Sequence, residues 1–240
     1  VSVEDLCRFA PILGAVIPEL QPMIGFDQHS PHHAYDLFTH TAHVTAGVPA
    51  NLTLRWAALL HDTGKVATFT RDENGRGHFY GHAQKSAEIA DEVLRRLKAP
   101  TALREQAVLL ICQHMTPLTP DKKLLRRRVS RLGWDTLDAL LTLQEADMGG
   151  KGTGEAEELD VFPKIRAALA EIRAENACLT VKDLAVNGND LLALGYEGKA
   201  IRETLNALLE GVLDETLPNE RQALLDRAKQ RVANDGISSE

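Results

Sequence analysis

The stretch Trp56-Ala-Ala-Leu-Leu-His-Asp-Thr-Gly-Lys65 is the most chemically informative part of the sequence. Leu54, Ala58 and His61 recur at helical spacing, so His61 shares the apolar face of a helix. Asp62 is rotated from it by about 100° around the same helix. Burying an imidazole and a carboxylate together is costly unless a partner compensates, and a divalent cation can do so. The stretch therefore predicts a helix that ends at a metal site.

Further residues able to bind a metal lie at wide spacings along the chain, each in or beside a stretch with a helical pattern. Taken alone, each histidine is more simply explained as a satisfied core or surface imidazole. Taken together, the ordered set favours a shared centre. In chain order the candidate ligands are His40, His61, Asp62, His82, His114 and Asp147.

This order of His, His-Asp, His, His and Asp resembles the HD superfamily of metal-dependent phosphohydrolases. The resemblance implies a mononuclear or dinuclear centre that hydrolyses a phosphoester, with Asp62 as a catalytic residue that bridges two metals. Mixed nitrogen and oxygen ligands suit Mn, Fe, Ni, Co or Zn better than Mg, which stays a candidate. The implied first metal is held by His40, His61, Asp62 and Asp147, and a second is completed by His82 and His114.

Two more residues are candidates for contacts with the substrate. Lys65 either grips a phosphate oxygen, as a catalytic and substrate-binding residue, or is a surface lysine at a helix end. His33 lies two turns before His40 on the same face. It either lines the mouth of the site or bonds a backbone carbonyl.

Composition places the chain among soluble globular proteins. Of its 240 residues, 44% are hydrophobic and 25% charged, while only 5% are aromatic, which favours helix packing over sheets. Three scattered cysteines without a C-x-x-C pair indicate a reducing compartment. Without a signal peptide or an apolar run of about 18 residues, we expect a cytoplasmic protein with no membrane partner.

We predict an all-α fold, an HD-domain helical bundle with one small β-hairpin insertion, followed by a smaller C-terminal helical region. A helix is expected to start near His32. Asn74-Gly75 favours a type I′ turn in a hairpin spanning residues 67–80. Residues 149–154 suggest a flexible linker. The predicted domains are residues 1–25 as the end of a preceding helical linker, 26–150 as the metal-binding domain, and 151–240 as a C-terminal helical domain.

The run from Asp121 to Arg131 contains six basic residues. A net charge of −7 argues against a diffuse nucleic-acid binder, so the run is either the solvated face of an amphipathic helix or a local phosphate-binding patch. Its candidate RNA-binding residues are Arg126, Arg127, Arg128 and Arg131.

A second resemblance extends over nearly the whole chain. Its motifs look like the C-terminal half of bacterial tRNA nucleotidyltransferases, the CCA-adding and poly(A)-polymerase-like family. In that family a nucleotidyltransferase head precedes the HD domain and the helical remainder helps to hold tRNA; this sequence shows no such head. The motifs are Phe26-Asp-Gln-His-Ser-Pro-His-His-Ala-Tyr35, His78-Phe-Tyr-Gly-His82, Lys182-Asp-Leu-Ala-Val-Asn-Gly188 and Leu217-Pro-Asn-Glu-Arg221.

Two functions follow as alternatives. The first is a metal-dependent phosphohydrolase or phosphodiesterase acting on a nucleotide or RNA phosphoester. The second is a non-catalytic body that binds tRNA as its partner. Retention of all six candidate ligands favours the first, because buried ionisable residues without a metal destabilise a fold.

Overall fold

The computed structural model describes residues 1–30, 34–153 and 156–235. The fold is all-α, as predicted, with a single two-stranded hairpin in the described part. The elements are α1 Val3–Arg8, α2 Ala10–Val16, a 3-10 helix Pro18–Met23, α3 Leu37–Gly47, α4 Leu52–Leu60, α5 Lys65–Thr68, β1 Thr70–Arg71, β2 Gly77–His78, α6 His82–Arg96, α7 Thr101–Gln113, α8 Lys122–Leu132, α9 Trp134–Gly149, α10 Ala156–Leu159, α11 Val161–Ala174, a 3-10 helix Val181–Asp183, α12 Gly188–Leu192, α13 Lys199–Leu213 and α14 Arg221–Asp235.

The chain packs as two compact units. The first consists of Val1–Leu118 and Trp134–Pro163, and the second of Thr119–Gly133 and the chain from Lys164 onward. The first unit is therefore discontinuous in sequence, since residues 119–133 leave it and the chain then returns. The domain ranges expected from the sequence stay a prediction.

The core of the first unit lies among five helices. Helix α7 packs against α4 and α6, while α3 packs against α4 and α9. Their apolar faces bury large side chains, among them Leu60, Leu94, Leu110 and Leu141. Burying each such leucine stabilises the fold by roughly 1.5–3 kcal/mol relative to exposure. This packing also brings the ends of α4, α6 and α7 together.

Helix α3 begins at Leu37, so the predicted start near His32 is wrong. Asp36 has an extended backbone, and its Oδ1 accepts hydrogen bonds from the amides of Phe38 and Thr39 at 3.0 and 3.2 Å. The same oxygen accepts a bond from the Gly25 amide at 3.2 Å. An aspartate that satisfies two free amides of the first turn is a strong N-cap, and it fixes the helix start here.

The hairpin is shorter than predicted and its turn is not type I′. Thr70 pairs with His78 and Arg71 with Gly77, which leaves residues 72–76 as the loop. A type I′ turn needs positive φ at two consecutive central residues, but within this loop only Gly75 has it, at 76°. Instead, Asp72 Oδ1 accepts bonds from the amides of Asn74 and Arg76 and holds the loop.

Two expectations around the glycine-rich run are also wrong. The run begins as ordered structure rather than as a flexible linker: α9 continues to Gly149, and Gly150 is buried against α3. A Cβ on Gly150 would come within 2.8 Å of Val44 Cγ2, so the close approach requires glycine. The sequence also predicts one long helix from Glu155 to Asn176, but the structure has two helices there, α10 and α11, whose bounds leave out Asp160.

In the second unit, α13 packs against α8, α12 and α14. Its small core contains Leu191, Tyr196 and Ala228, and the Tyr196 hydroxyl donates to the Ala228 carbonyl at 2.7 Å. In the chain as a whole, the three cysteines are free thiols. Among the described residues, no helix has both the length and the apolar character needed to cross a membrane.

We expect Asp36→Ala to lower the free energy of unfolding by about 1–2 kcal/mol, because the first turn of α3 loses its acceptor. Urea denaturation in the presence of a chelator, so that metal binding does not contribute, measures the change. Asp36→Asn keeps a capping oxygen and should lose less than half as much. Equal losses in the two variants would contradict the capping role.

Candidate metal centre

All six candidate ligands meet at one end of the first unit. His61 follows the last residue of α4, His114 follows α7, and His82 opens α6. His40 lies within α3 and Asp147 within α9. Two groups of ligand atoms result, each with its members within 4.8 Å of one another. The groups are His40, His61, Asp62 and Asp147, and Asp62, His82 and His114.

Asp62 belongs to both groups through different oxygens. Its Oδ2 lies 3.2 Å from His61 Nε2 and 3.5 Å from His40 Nε2. Its Oδ1 lies 3.5 Å from His82 Nε2 and 3.7 Å from His114 Nε2. The carboxylate therefore stands between two pairs of imidazoles, which is the position that a bridging ligand requires.

Each of the four histidines directs its Nε2 towards this carboxylate because its Nδ1 is bonded elsewhere. In every case Nδ1–H donates to a backbone carbonyl, so that Nε2 is the nitrogen left to face the centre. The bonds run from His40 to Gly150 O (3.0 Å), from His61 to Ala58 O (2.7 Å), from His82 to Phe79 O (2.8 Å) and from His114 to Ile111 O (2.7 Å).

Several of the converging atoms are buried without a geometrically sound hydrogen bond. Among the described residues, this holds for Nε2 of His61, His82 and His114 and for both oxygens of Asp62. Asp62 is only 1% exposed and His61 is fully buried. Lys65 compensates one Asp62 oxygen through an ion pair, but leaving the other buried polar atoms unsatisfied is costly, typically about 1–3 kcal/mol each. A divalent cation would satisfy the whole set, so the residues fit a metal.

Asp62 and Asp147 carry negative charge into the centre. Burial alone would raise the pKa of Asp62, but the charges of His61 and Lys65 outweigh it and hold that pKa well below its usual range. Burial opposes ionisation of Asp147 as well, yet the imidazoles of His40 and His61, whose Nε2 atoms lie 3.0 and 3.5 Å from Asp147 Oδ1, keep its pKa well below the ordinary value. Two ionised carboxylates are therefore available at neutral pH.

The imidazoles divide into two kinds. Burial would lower the pKa of His61, but Asp62 and Asp147 raise it to about 10. His114 lies farther from the carboxylates, and burial, reinforced by the charge on His61, lowers its pKa to about 4. Burial also lowers the pKa of His82. In the metal-free protein, His61 holds a proton that a metal must displace, whereas His82 and His114 are already neutral.

Lys65 is not the surface lysine that one interpretation expected. It is 7% exposed, and its Nζ lies 2.7 Å from Asp62 Oδ2 and donates to Gln28 Oε1 at 2.9 Å. The ammonium also sits 5.4 Å from the centre of the Phe79 ring. Lys65 therefore forms part of the centre. His33 lies outside the described residues, so its contact with a substrate stays a prediction.

Two neighbouring cavities open beside the cluster, with volumes of about 280 and 260 Å³. Lys65 and Tyr80 line the first, and Phe162 lines the second. Both cavities share His114, Met115, Asp147 and Lys151. Lys151 was not predicted from the sequence to belong to the site. The signal that points to it is its position four residues after Asp147, just beyond the end of α9.

The predicted RNA-binding arginines divide into two pairs. Within the second unit, Arg126 bonds Glu175 at 2.8 Å and also Glu215, while Arg127 bonds Asp214 at 2.6 Å. Arg128 and Arg131 form no ion pair with any residue that the structure describes. The first pair is engaged within the protein, so an RNA contact, which stays a prediction for all four, is most accessible to the second pair.

Comparison with known proteins gives consistent matches. The HD domain family matches residues 33–147. The A-adding tRNA nucleotidyltransferase of Deinococcus radiodurans is 34% identical, over 90% of this chain and 52% of its own length. The CC-adding tRNA nucleotidyltransferase of Thermus thermophilus is 33% identical, over 83% of this chain and 46% of its own. A multifunctional CCA protein of Aromatoleum aromaticum is 36% identical, over 73% of this chain and 44% of its own length. The chain spans about half the length of these relatives.

We expect chelator-treated protein to bind Mn, Ni, Co or Zn ions with release of protons, because His61 must lose the proton that its pKa of about 10 retains. Affinity should therefore rise with pH between about 6 and 8, by up to tenfold per unit for each proton displaced. Calorimetry in buffers of different ionisation enthalpy measures the release.

At a metal concentration of about 100 times the dissociation constant, bound metal should add about 2.7 kcal/mol to the free energy of unfolding.

Two histidines on α3 provide a matched pair for this test. His40→Gln should weaken metal binding, whereas His43→Gln should not, since His43 stacks on Tyr35 away from the cluster. Binding that is equal in both variants and in the original chain, or that involves no proton release, would contradict the site.

Proposed function

This chain contains an HD domain and is related over most of its length to bacterial tRNA nucleotidyltransferases, and from this premise we propose that it is a metal-dependent phosphohydrolase or phosphodiesterase. Its substrate would be a nucleotide or an RNA phosphoester. The observation that carries the proposal is the convergence of four Nε2 atoms and two carboxylates beside an open cavity. Phosphoester hydrolysis is the reaction that such a centre supports best.

The chain's own residues would have distinct tasks. His40, His61, Asp62 and Asp147 would hold one metal, and Asp62, His82 and His114 would hold the second. A bound divalent ion supplies Lewis acidity and lowers the pKa of water. The carbonyl bonds to the imidazoles keep each Nε2 aimed at the centre, so little reorganisation is needed when the ion binds.

Lys65 would serve as the electrostatic residue of the reaction. Its ammonium lies against Asp62 and faces the first cavity, where a phosphate oxygen would be presented. The Gln28 amide holds that ammonium, and the Phe79 ring covers it. A cation fixed in this way stabilises developing negative charge without having to reorient, which is the general source of strong electrostatic catalysis.

A second candidate function is the non-catalytic tRNA-binding body. Its support is the extent of the similarity: the relatives align over as much as 90% of this chain, far beyond the residues matched by the HD domain family. Those relatives are tRNA nucleotidyltransferases by name. Under this alternative, Arg128 and Arg131 would contact RNA phosphates, and the metal would be structural.

We expect Asp62→Asn to reduce phosphoester hydrolysis by well over about 100-fold, because an anionic ligand common to both groups of ligand atoms is lost. The assay is a panel of phosphomonoesters, 2′,3′-cyclic nucleotides and dinucleotides with Mn, Ni, Co or Mg. Asp226→Asn is the matched control, since Asp226 lies in α14 and pairs with Lys229. If Asp62→Asn retains the full rate, the hydrolase proposal fails.

The tRNA-binding alternative predicts a salt effect. Replacing both Arg128 and Arg131 by alanine should weaken tRNA binding and reduce the slope of log affinity against log salt by about one for each lost phosphate contact. Lys199→Ala removes an exposed cation from the same unit and serves as the control. If the double substitution leaves the slope of log affinity against log salt unchanged, the basic run of residues 121–131 is only the solvated face of a helix.

A further inference from the structure

We infer that the substrate is an internal phosphodiester whose two esterified groups occupy the two cavities, with Lys151 holding the phosphate between them. The inference rests on the proposed function and narrows its substrate class. A dinucleotide within a nucleic-acid strand fits this description, whereas a terminal phosphate does not.

The two cavities adjoin each other at the metal-binding cluster. Because His114, Met115, Asp147 and Lys151 line both, these side chains form the seam between the two spaces. His114 and Asp147 are also members of the cluster. A phosphate at the seam would lie at the centre, and groups attached to its two sides would extend into different cavities.

Lys151 is the cation at this seam. Its backbone is fixed, because its carbonyl accepts a bond from the Ala34 amide at 2.9 Å. Its side chain is half-buried and forms no ion pair with any residue in the described ranges. Lys65 differs, since its ammonium is already held by Asp62 and Gln28. Lys151 therefore retains the hydrogen-bonding capacity that a phosphate oxygen needs.

The first cavity has a wall suited to a nucleobase. Tyr80 is 80% exposed, and its ring stacks on His78 at 5.5 Å with an angle of 4° between the planes. This pair presents a flat aromatic face at the rim, and Phe79 lines the same cavity. Stacking of a base on an aromatic ring contributes roughly 1–3 kcal/mol.

The second cavity is mainly apolar, with Leu118, Met148 and Phe162 among its lining residues. Each cavity is smaller than the roughly 300–1,000 Å³ typical of a pocket for a drug-sized ligand. Neither would hold a dinucleotide alone, but the two together would hold one nucleoside on each side of the phosphate. A mononucleotide or a cyclic nucleotide has one nucleoside and would leave the second cavity empty, so the pair of cavities favours a diester that joins two nucleosides.

The test compares a 3′,5′-dinucleotide with a 2′,3′-cyclic nucleotide and a mononucleotide. Leu118→Trp should fill the second cavity and lower kcat/KM for the dinucleotide by about tenfold or more, while the cyclic nucleotide changes less than about twofold. Leu118→Ala is the matched control that leaves the space open. Lys151→Ala should raise KM for the dinucleotide by about tenfold to a hundredfold, and Lys151→Arg should restore part of the loss.

Binding of the same dinucleotide to metal-free protein, measured by equilibrium dialysis, provides a readout without catalysis. Weaker binding in Leu118→Trp and Lys151→Ala, but not in Lys85→Ala on α6, supports the inference even if no substrate is hydrolysed; absent hydrolysis then counts only against the proposed function. If the chain hydrolyses phosphoesters but Leu118→Trp affects all substrates alike, or if dinucleotide binding is unchanged in both variants, the two-cavity inference is overturned. Circular dichroism confirms that each variant is folded.

Discussion

A carboxylate buried among four imidazoles is the constraint on which the first unit depends. Asp62 is almost inaccessible to solvent, and its two oxygens face different pairs of histidines. Such a charge is tolerated inside a protein only when it is paired or bound to a metal. Three helix ends and the faces of α3 and α9 must therefore stay together around it. The leucine packing of these helices supplies the stability that this polar centre does not.

Backbone carbonyls link the fold to the chemistry of the centre. His61, His82 and His114 each bond a carbonyl three residues earlier in the chain, so the local turn at a helix end sets the direction of the ring. His40 instead bonds the carbonyl of Gly150, which lies 110 residues away. The tight packing of Gly150 against α3 thus keeps one imidazole aligned, and a glycine-rich run has an orienting role.

The all-α fold and the convergence of the six candidate ligands could be expected from the sequence, because periodic apolar positions identify helices and the ligand order identifies a family. The details depended on interactions that periodicity does not encode. The start of α3 was decided by a side-chain cap from Asp36, and the hairpin loop by Asp72. Lys151 could not be predicted as a site residue, because it lies in a glycine-rich run that resembles a linker. The local sequence does not show that its neighbour Gly150 is buried. Ring orientation likewise depends on carbonyls whose positions only the fold defines.

The discontinuity of the first unit has a consequence for the order of synthesis. Its last part, including α9, leaves the ribosome only after residues 119–133 have been made, although those residues belong to the other unit. At a rate of synthesis of about 5–20 residues per second, helices α4, α6 and α7 are complete for seconds before Asp147 is made. Until then the nascent helices hold an incomplete set of ligands. A fragment that stops before α9 would contain the His-Asp pair but not the full centre, so any fragment with the complete set of ligands must include Asp147.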